Sequence, residues 1–178
     1  KLFVFNYREK RIHPLKDDKI LTDWNGLMIA SFALAGQILD DKEYVRAAEK
    51  AAEFVQKNLT TKKGKLLKRF RLGEAGLSPH LDDYSFLIWG LLNLYEATFN
   101  ADYLSRAVDL MTVMVEDFSD GNGGFYIGSK SSEKLMVRAK DSYDSAIPSG
   151  NSVAVSNLFR LAKITGNTKW STLGEKTL

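Results

Sequence analysis

One unit is written three times along this chain. It is a polar cluster, an almost wholly apolar stretch, a short polar turn, and an aromatic residue that opens a second, amphipathic stretch. The first copy runs from Asp23-Trp24-Asn25-Gly26 through Leu39 to Tyr44 and Leu59. The second runs from Asp82-Asp83-Tyr84 through Phe99 to Tyr103 and Phe118, and the third from Ser149-Gly150-Asn151 through Ile164 to Trp170 and on to the end. With Trp24, Tyr84 and Asn151 aligned, the copies stand 60 and 67 residues apart, and the aromatic residue follows at 20, 19 and 19 positions. A period of that size marks stacked helical hairpins.

The two halves of each unit bury differently. Leu27 to Ala35 carries no polar residue except Ser31, and Phe86 to Tyr95 is apolar nearly throughout. Such helices are buried on all sides. In the second half of the first unit, Tyr44, Ala47, Ala48, Ala51 and Val55 form one stripe, with Glu43, Arg46, Lys50, Glu53 and Lys57 off it. That is a helix with one face in water. The pattern predicts an all-α fold of three hairpins with inner helices near 23–39, 82–99 and 151–164. Three hairpins make an arc, either half of an (α/α)6 toroid or a short solenoid; all-round apolar inner helices favour the toroid. Asp23 or Thr22, and Asp82, are placed to cap inner helices. Asp40-Asp41, Asn100-Ala101 and Gly166-Asn167 are placed to break them. Leu66–Arg71, and Gly124–Gly128 with Leu135–Arg138, read as small β-hairpins on one rim. The chain reads as one domain, 1–178, that starts at Lys1 in mid-pattern and ends inside a helix that has barely begun, as a fragment of a larger barrel would.

Composition excludes several classes. No cysteine is present, which removes disulfides, a thiol nucleophile and thiolate metal sites, and suits a reducing, cytoplasmic setting. Twenty-five basic against 22 acidic residues give only +3, no signature of nucleic-acid binding. Lys57–Arg71 holds seven basic residues and no acid, which fits an anionic ligand or a solvated hairpin edge equally well. No apolar run is long enough to span a membrane. Neither His13 nor His80 sits in a metal-binding spacing, and no metal or cofactor is expected.

Candidate chemistry gathers where the inner helices begin, because free N–H groups and positive dipole ends meet there. Asp18, Asp83 and Asp144 each precede or open an inner helix and are the candidate catalytic carboxylates, able to divide acid and base roles; capping and ion pairing are the plainer reading. Asp82 is expected to supply the cap alone, leaving Asp83 free for function at little stability cost. Trp24 and Tyr84 are candidate stacking surfaces for a sugar, or core residues with a polar tip. Asn25, Asn151, Ser149 and Arg11 complete the candidate binding set; the two Asn either hold ligand or brace loops. The two histidines are a weaker candidate acid/base pair.

The string Arg8-Glu9-Lys10-Arg11, Pro14 and Asp17 through Ile29 resembles the signature of the YyaL family, whose animal members are called spermatogenesis-associated thioredoxin-like proteins. Asp82–Ile88 with Leu94–Thr98, then Gly123–Tyr126, then Asp144–Ser152 are similar to three further blocks of that family, in order. The resemblance implies a thioredoxin-like domain with a Cys pair followed by a six-hairpin (α/α) barrel similar to N-acylglucosamine 2-epimerases and several glycoside hydrolases. This chain matches only the barrel. A carbohydrate-like ligand is the expected partner, acted on by hydrolysis or isomerisation; the alternative is a non-catalytic binding or scaffold module beside the thioredoxin-like domain. Half a ring leaves apolar flanks open, so self-association is expected.

Overall fold

The computed structural model describes residues 2–132 and 136–178. A short exposed helix, α1 (Leu2–Arg8), and an irregular stretch lead to strand β1 (Ile20–Leu21). The first hairpin is α2 (Thr22–Ile38) and α3 (Lys42–Asn58). Strands β2 (Arg69–Arg71) and β3 (Glu74–Gly76) precede the second, α4 (Leu81–Thr98) and α5 (Ala101–Phe118). After a long irregular connection comes the third, α6 (Gly150–Thr165) and α7 (Thr168–Thr177). The three hairpins fall within two residues of their expected inner-helix bounds.

Helix starts follow a rule visible in the sequence. Each outer helix opens on an Asx cap: Asp41 accepts from Glu43 N at 2.9 Å, Asn100 from Asp102 N at 3.0 Å, and Asn167 from Lys169 N at 3.1 Å. Asn100 is therefore a cap rather than the left-handed terminator expected. That conformation falls on Phe99 (φ 55°), while Gly166 (φ 71°) takes it as expected.

α4 is the centre of the molecule. Tyr84 through Ile88 and Leu91, Leu92 and Leu94 are fully buried. α2 packs on one flank and α6 on the other, while α3, α5 and α7 lie outside their partners. Glycine sets how near α2 comes. A Cβ at Gly26 would stand 2.5 Å from the Phe86 carbonyl carbon, and one at Gly90 would stand 2.9 Å from Gly26 O. The two backbones touch, and no larger residue fits. Asn93 donates to Ala30 O at 3.0 Å and Asn157 to Ser85 O at 2.7 Å, tying the inner helices in series.

Three expectations change. α2 is apolar all round but not buried all round: Trp24, Met28, Leu34 and Ile38 are exposed, because α4 covers only one of its flanks. The first rim hairpin is part of a three-stranded antiparallel sheet, order β1-β2-β3, with Ile20 opposite Phe70. Phe70 anchors it edge-on to Phe54, ring centres 5.3 Å apart. The second rim hairpin has no strands among the described residues, and Leu135 lies outside them. Arg138 takes over there: it donates to Gly128 O at 2.6 Å and lies over the Tyr126 ring at 4.0 Å. That side chain and one backbone bond, Ile127 N to Ala139 O at 2.9 Å, hold the turn in place of a ladder.

Candidate functional site

The N-termini of α2, α4 and α6 meet at two consecutive residues of α4. Asp83 faces α2. It is wholly buried, and its carboxylate accepts from Asp23 N at 3.1 Å and from His80 N at 2.7 Å. Lys68, from the connection before β2, bridges the same pair, 2.9 Å from Asp23 Oδ2 and 3.5 Å from Asp83 Oδ2. Asp82 faces the other way. A Cβ on Gly150, the first residue of α6, would collide with Asp82 Oδ1, so α6 begins against that carboxylate.

The two acids differ in what holds them. Burial pushes Asp83 up to about 7, with Asp23 adding to the rise and Lys68 and two N–H groups opposing it. Asp82 is half-buried and makes no side-chain hydrogen bond among the described residues. Burial raises its pKa first and the Asp23 charge second, against Lys68 and His80. His80, at the start of the same helix, is shifted down by burial and by Lys68, which favours neutral imidazole. Burial thus favours the neutral form of both groups, a carboxyl able to give a proton and an imidazole able to take one.

The structure separates the sequence-predicted residues. Asp83 is structural in its contacts, and the expectation that Asp82 caps the helix is corrected: Asp83, three residues after His80, reaches back to the His80 N–H. Asp18 lies on the exposed strand-side rim, paired with Arg71 Nε at 2.5 Å. Asp144 is exposed; the N–H of Ser149 at 2.8 Å, then the Ser152 hydroxyl, hold its carboxyl below the usual range. The three carboxylates thus do not form one acid/base set. Trp24 is 62% exposed at the start of α2, whereas its repeat partner Tyr84 is in the core against Phe118, ring centres 5.3 Å apart. Trp24 is the third residue of its helix, Tyr84 the fourth and Asn151 the second. Each step turns a side chain by about 100°, so alignment in sequence did not mean the same face.

Three of the remaining candidates, Asn25, Ser149 and Asn151, brace the frame. Asn25 donates to Leu21 O at 2.7 Å. Ser149 caps α6 through Ser152 N at 3.1 Å. Asn151 accepts from Phe125 N at 2.8 Å and donates to Phe125 O and Asp141 O at 3.0 and 2.8 Å. Arg11 is exposed and stands over Tyr7. His13 is likewise exposed, 3.7 Å from Glu9, far in the chain from His80. Sequence reasoning passed over Lys68 and misjudged Asp82. The signal for Lys68 is a pairing: Thr22 N donates to Lys68 O at 3.0 Å, which sets Lys68 beside Asp23. Among the described residues no group of three or more His, Asp or Glu is arranged to hold a metal ion, and no helix is long and apolar enough to cross a membrane.

This architecture is that of the six-hairpin glycosidase-like (α/α) proteins. An α-mannanase of glycoside hydrolase family 76 from Bacteroides thetaiotaomicron matches with a TM-score of 0.69 at 18% identity, over 90% of this chain and 40% of that one. Cellobiose 2-epimerase from Bacillus thermoamylovorans matches with a TM-score of 0.73 at 15% identity, over 92% and 44%. At those identities the likeness is one of fold. No family model matches the chain. In sequence its homologues are spermatogenesis-associated protein 20, 35% identical in Rattus norvegicus and 34% in Homo sapiens, so the resemblance to the YyaL family read from four sequence blocks holds. Both matches cover 94% of this chain and 23% of the relative, so the chain spans about a quarter of the curated relatives' length.

Proposed function

We infer that this chain belongs to a carbohydrate-active (α/α)-barrel protein whose sugar ligand sits where the three inner helices begin, and that Asp82 performs acid/base chemistry there as part of a hydrolase or an epimerase-like isomerase. One observation carries the reading. Asp82 is half-buried at the meeting of α4 and α6, makes no side-chain hydrogen bond among the described residues, and lies beside a His80 shifted toward its neutral form. Such a carboxyl is free to exchange a proton, whereas Asp83 is committed to holding α2 against α4. Trp24 offers an exposed ring at the same end for stacking on a sugar's C–H face. Solved neighbours include a mannanase, a cellobiose epimerase and a D-mannose isomerase, which supports a sugar as the ligand class. The absence of cysteine over all 178 residues supports work in a reducing, cytoplasmic setting.

A second reading keeps the ligand and drops the chemistry. It is favoured by the structural use of Asp83, Tyr84 and Asn151 and by the separation of Asp18 and Asp144, which take the expected carboxylate set away from this end. A thermal-shift screen of the purified protein against a sugar panel, followed by NMR of any sugar that raises Tm, decides between them. Turnover lost in Asp82→Asn with the Tm shift retained supports catalysis. A Tm shift without turnover supports the binding module, and no shift with any sugar sinks both.

A further inference from the structure

Hydrogen bonds from two sides fix the segment Ala139–Asp141 against the starts of α4 and α6. Ile127 stands on the α4 side: its N–H donates to Ala139 O at 2.9 Å, and its carbonyl accepts from Leu81 N at 2.9 Å. Asn151 stands on the α6 side and donates to Asp141 O at 2.8 Å. Gly150, the residue before it, packs against Asp82 Oδ1. Asp141 follows Ala139 by two residues and Asp82 follows Leu81 by one, so both acids border the same opening, with the first residues of α6 between them.

The Asp141 carboxylate is spare. It is exposed, and one oxygen accepts from Tyr143 N at 2.9 Å. The other oxygen has no partner among the described residues. Lys140, the neighbouring cation, is drawn elsewhere: it pairs with Asp120 and donates to Gly123 O at 2.9 Å. The Asp141 charge also reaches Asp82. Burial raises Asp82 most and Asp23 next, and Asp141 adds to the rise against Lys68 and His80. Neither Asp82 nor Asp141 is in an ion pair among the described residues, and like charges brought together oppose folding rather than support it.

We propose that Asp141 is the second carboxylate of this site and acts opposite Asp82 as the base in hydrolysis of a glycoside. The assignment rests on the reading that a sugar binds where the inner helices begin. Environment divides the roles: burial favours the protonated form of Asp82, while water and the Tyr143 N–H solvate the charge of Asp141. Asp82 gives its proton to the leaving oxygen, which takes the electron pair of the breaking C–O bond. Asp141 takes a proton from a water whose oxygen forms the new bond to the anomeric carbon. One water is consumed, and Asp141 returns its proton through solvent to Asp82. Acids on separate segments leave room for that water, the arrangement that inverts the anomeric carbon.

Two measurements on the purified protein test the role. Carboxyl NMR follows the titration of Asp82, which faces Asp23, Lys68, His80 and Asp141. Asp141→Asn removes one charge and should move the Asp82 midpoint down. It leaves the Asp141 carbonyl with Asn151, so Tm should stay within about a degree. Release of p-nitrophenol from p-nitrophenyl α-mannoside, α-glucoside and β-glucoside follows the chemistry. Asp141→Ala should lower turnover of the glycoside that is cleaved at least about a hundredfold. Sodium azide, which attacks without a proton to lose, should restore it as an inverted glycosyl azide. An unmoved Asp82 midpoint overturns the pairing. Turnover kept in Asp141→Ala, or lost without azide rescue, overturns the base. A wild type that cleaves none of the glycosides removes the hydrolase reading and the role of Asp141 with it, and the titration separates that failure from a failure of the pairing.

Discussion

The carboxylate of Asp83 accepts a hydrogen bond of 3.1 Å from the backbone N–H of Asp23, sixty positions earlier, and so joins the first turns of the two most closely packed inner helices. The same side chain takes the N–H of His80 and stands 3.5 Å from Lys68. Removing it leaves the N–H groups of Asp23 and His80 without an acceptor, while Lys68 keeps Asp23 at 2.9 Å. Asp83→Ala should therefore cost at least about 1–3 kcal/mol, the penalty for a buried donor left without an acceptor. Chemical denaturation checks this. A loss below 1 kcal/mol would restore the sequence expectation that Asp83 is dispensable to the fold.

A pH dependence follows from the same group. The folded pKa of Asp83, about 7, lies above its ordinary value of 3.8, so the folded state holds the proton more tightly than the unfolded state does. Stability from this residue is therefore full below about pH 4 and is lost as pH rises toward 7. Asp82, also raised, adds in the same direction. Asp17, Asp120 and Asp144 are shifted down and act with the opposite sign, losing their contribution as pH falls through their own range. A comparison of wild type with Asp83→Asn isolates the buried group. The Tm of wild type minus that of the variant should fall between pH 4 and 7; a flat difference would show that Lys68 and the two N–H groups keep Asp83 ionised throughout.

Close approach of α2 and α4 makes two glycines irreplaceable. A methyl group at Gly26 would meet backbone of Phe86 and Leu87, which cannot rotate away. Gly26→Ala should cost at least about 1–3 kcal/mol, the usual penalty for overpacking. Gly76 in β3 has nothing within 4 Å of the same added atom and no positive φ, so Gly76→Ala should be near neutral. Paired thermal melts check the contrast, and equal losses would show that the helices part readily.

How the fold was legible, and the site less so, comes down to what each depends on. Apolar runs and polar turns are local signals, and they placed α2, α4 and α6 to within two residues. Facing depends on phase. Tyr84 and Trp24 were equal in the repeat, yet one residue of difference in helix start sends Tyr84 to Phe118 and Trp24 to solvent. Partnership depends on contacts across the chain. Nothing local to Lys68 says that it neutralises Asp23 and Asp83, because that follows from its backbone pairing with Thr22. Burial of α2 was overestimated for a related reason: hydrophobicity says that a face can be covered, and only packing says that it is.

Leu91 and Leu34 turn that last point into a measurement. Both are leucines on inner helices, but Leu91 is fully buried while Leu34 is 47% exposed. Leu91→Ala should cost about 2–5 kcal/mol. Leu34→Ala should cost far less, and it should also reduce any self-association of the chain through the open flank of α2. Analytical ultracentrifugation beside denaturant melts reads both. A large loss at Leu34 in a monomeric sample would mean that this flank is covered by the chain itself.

Asn151 provides the sharpest separation of bracing from ligand binding. Its amide oxygen accepts from Phe125 N, and its amide nitrogen donates to the carbonyls of Phe125 and Asp141. Asn151→Ala abandons all three and should cost on the order of 3 kcal/mol, since a buried group left without a partner costs about 1–3 kcal/mol. Asn151→Asp keeps the acceptor but points a carboxylate oxygen at two carbonyls. It should therefore be destabilised at pH 7 and partly recovered at pH 4, where a protonated carboxyl can again donate to one of them. A ligand-contacting Asn would behave otherwise: both variants would keep the wild-type Tm and differ only in their response to sugar. Melting both at the two pH values distinguishes the outcomes, and a Tm within a degree or so of wild type for Asn151→Ala would move the residue from the frame to the binding surface.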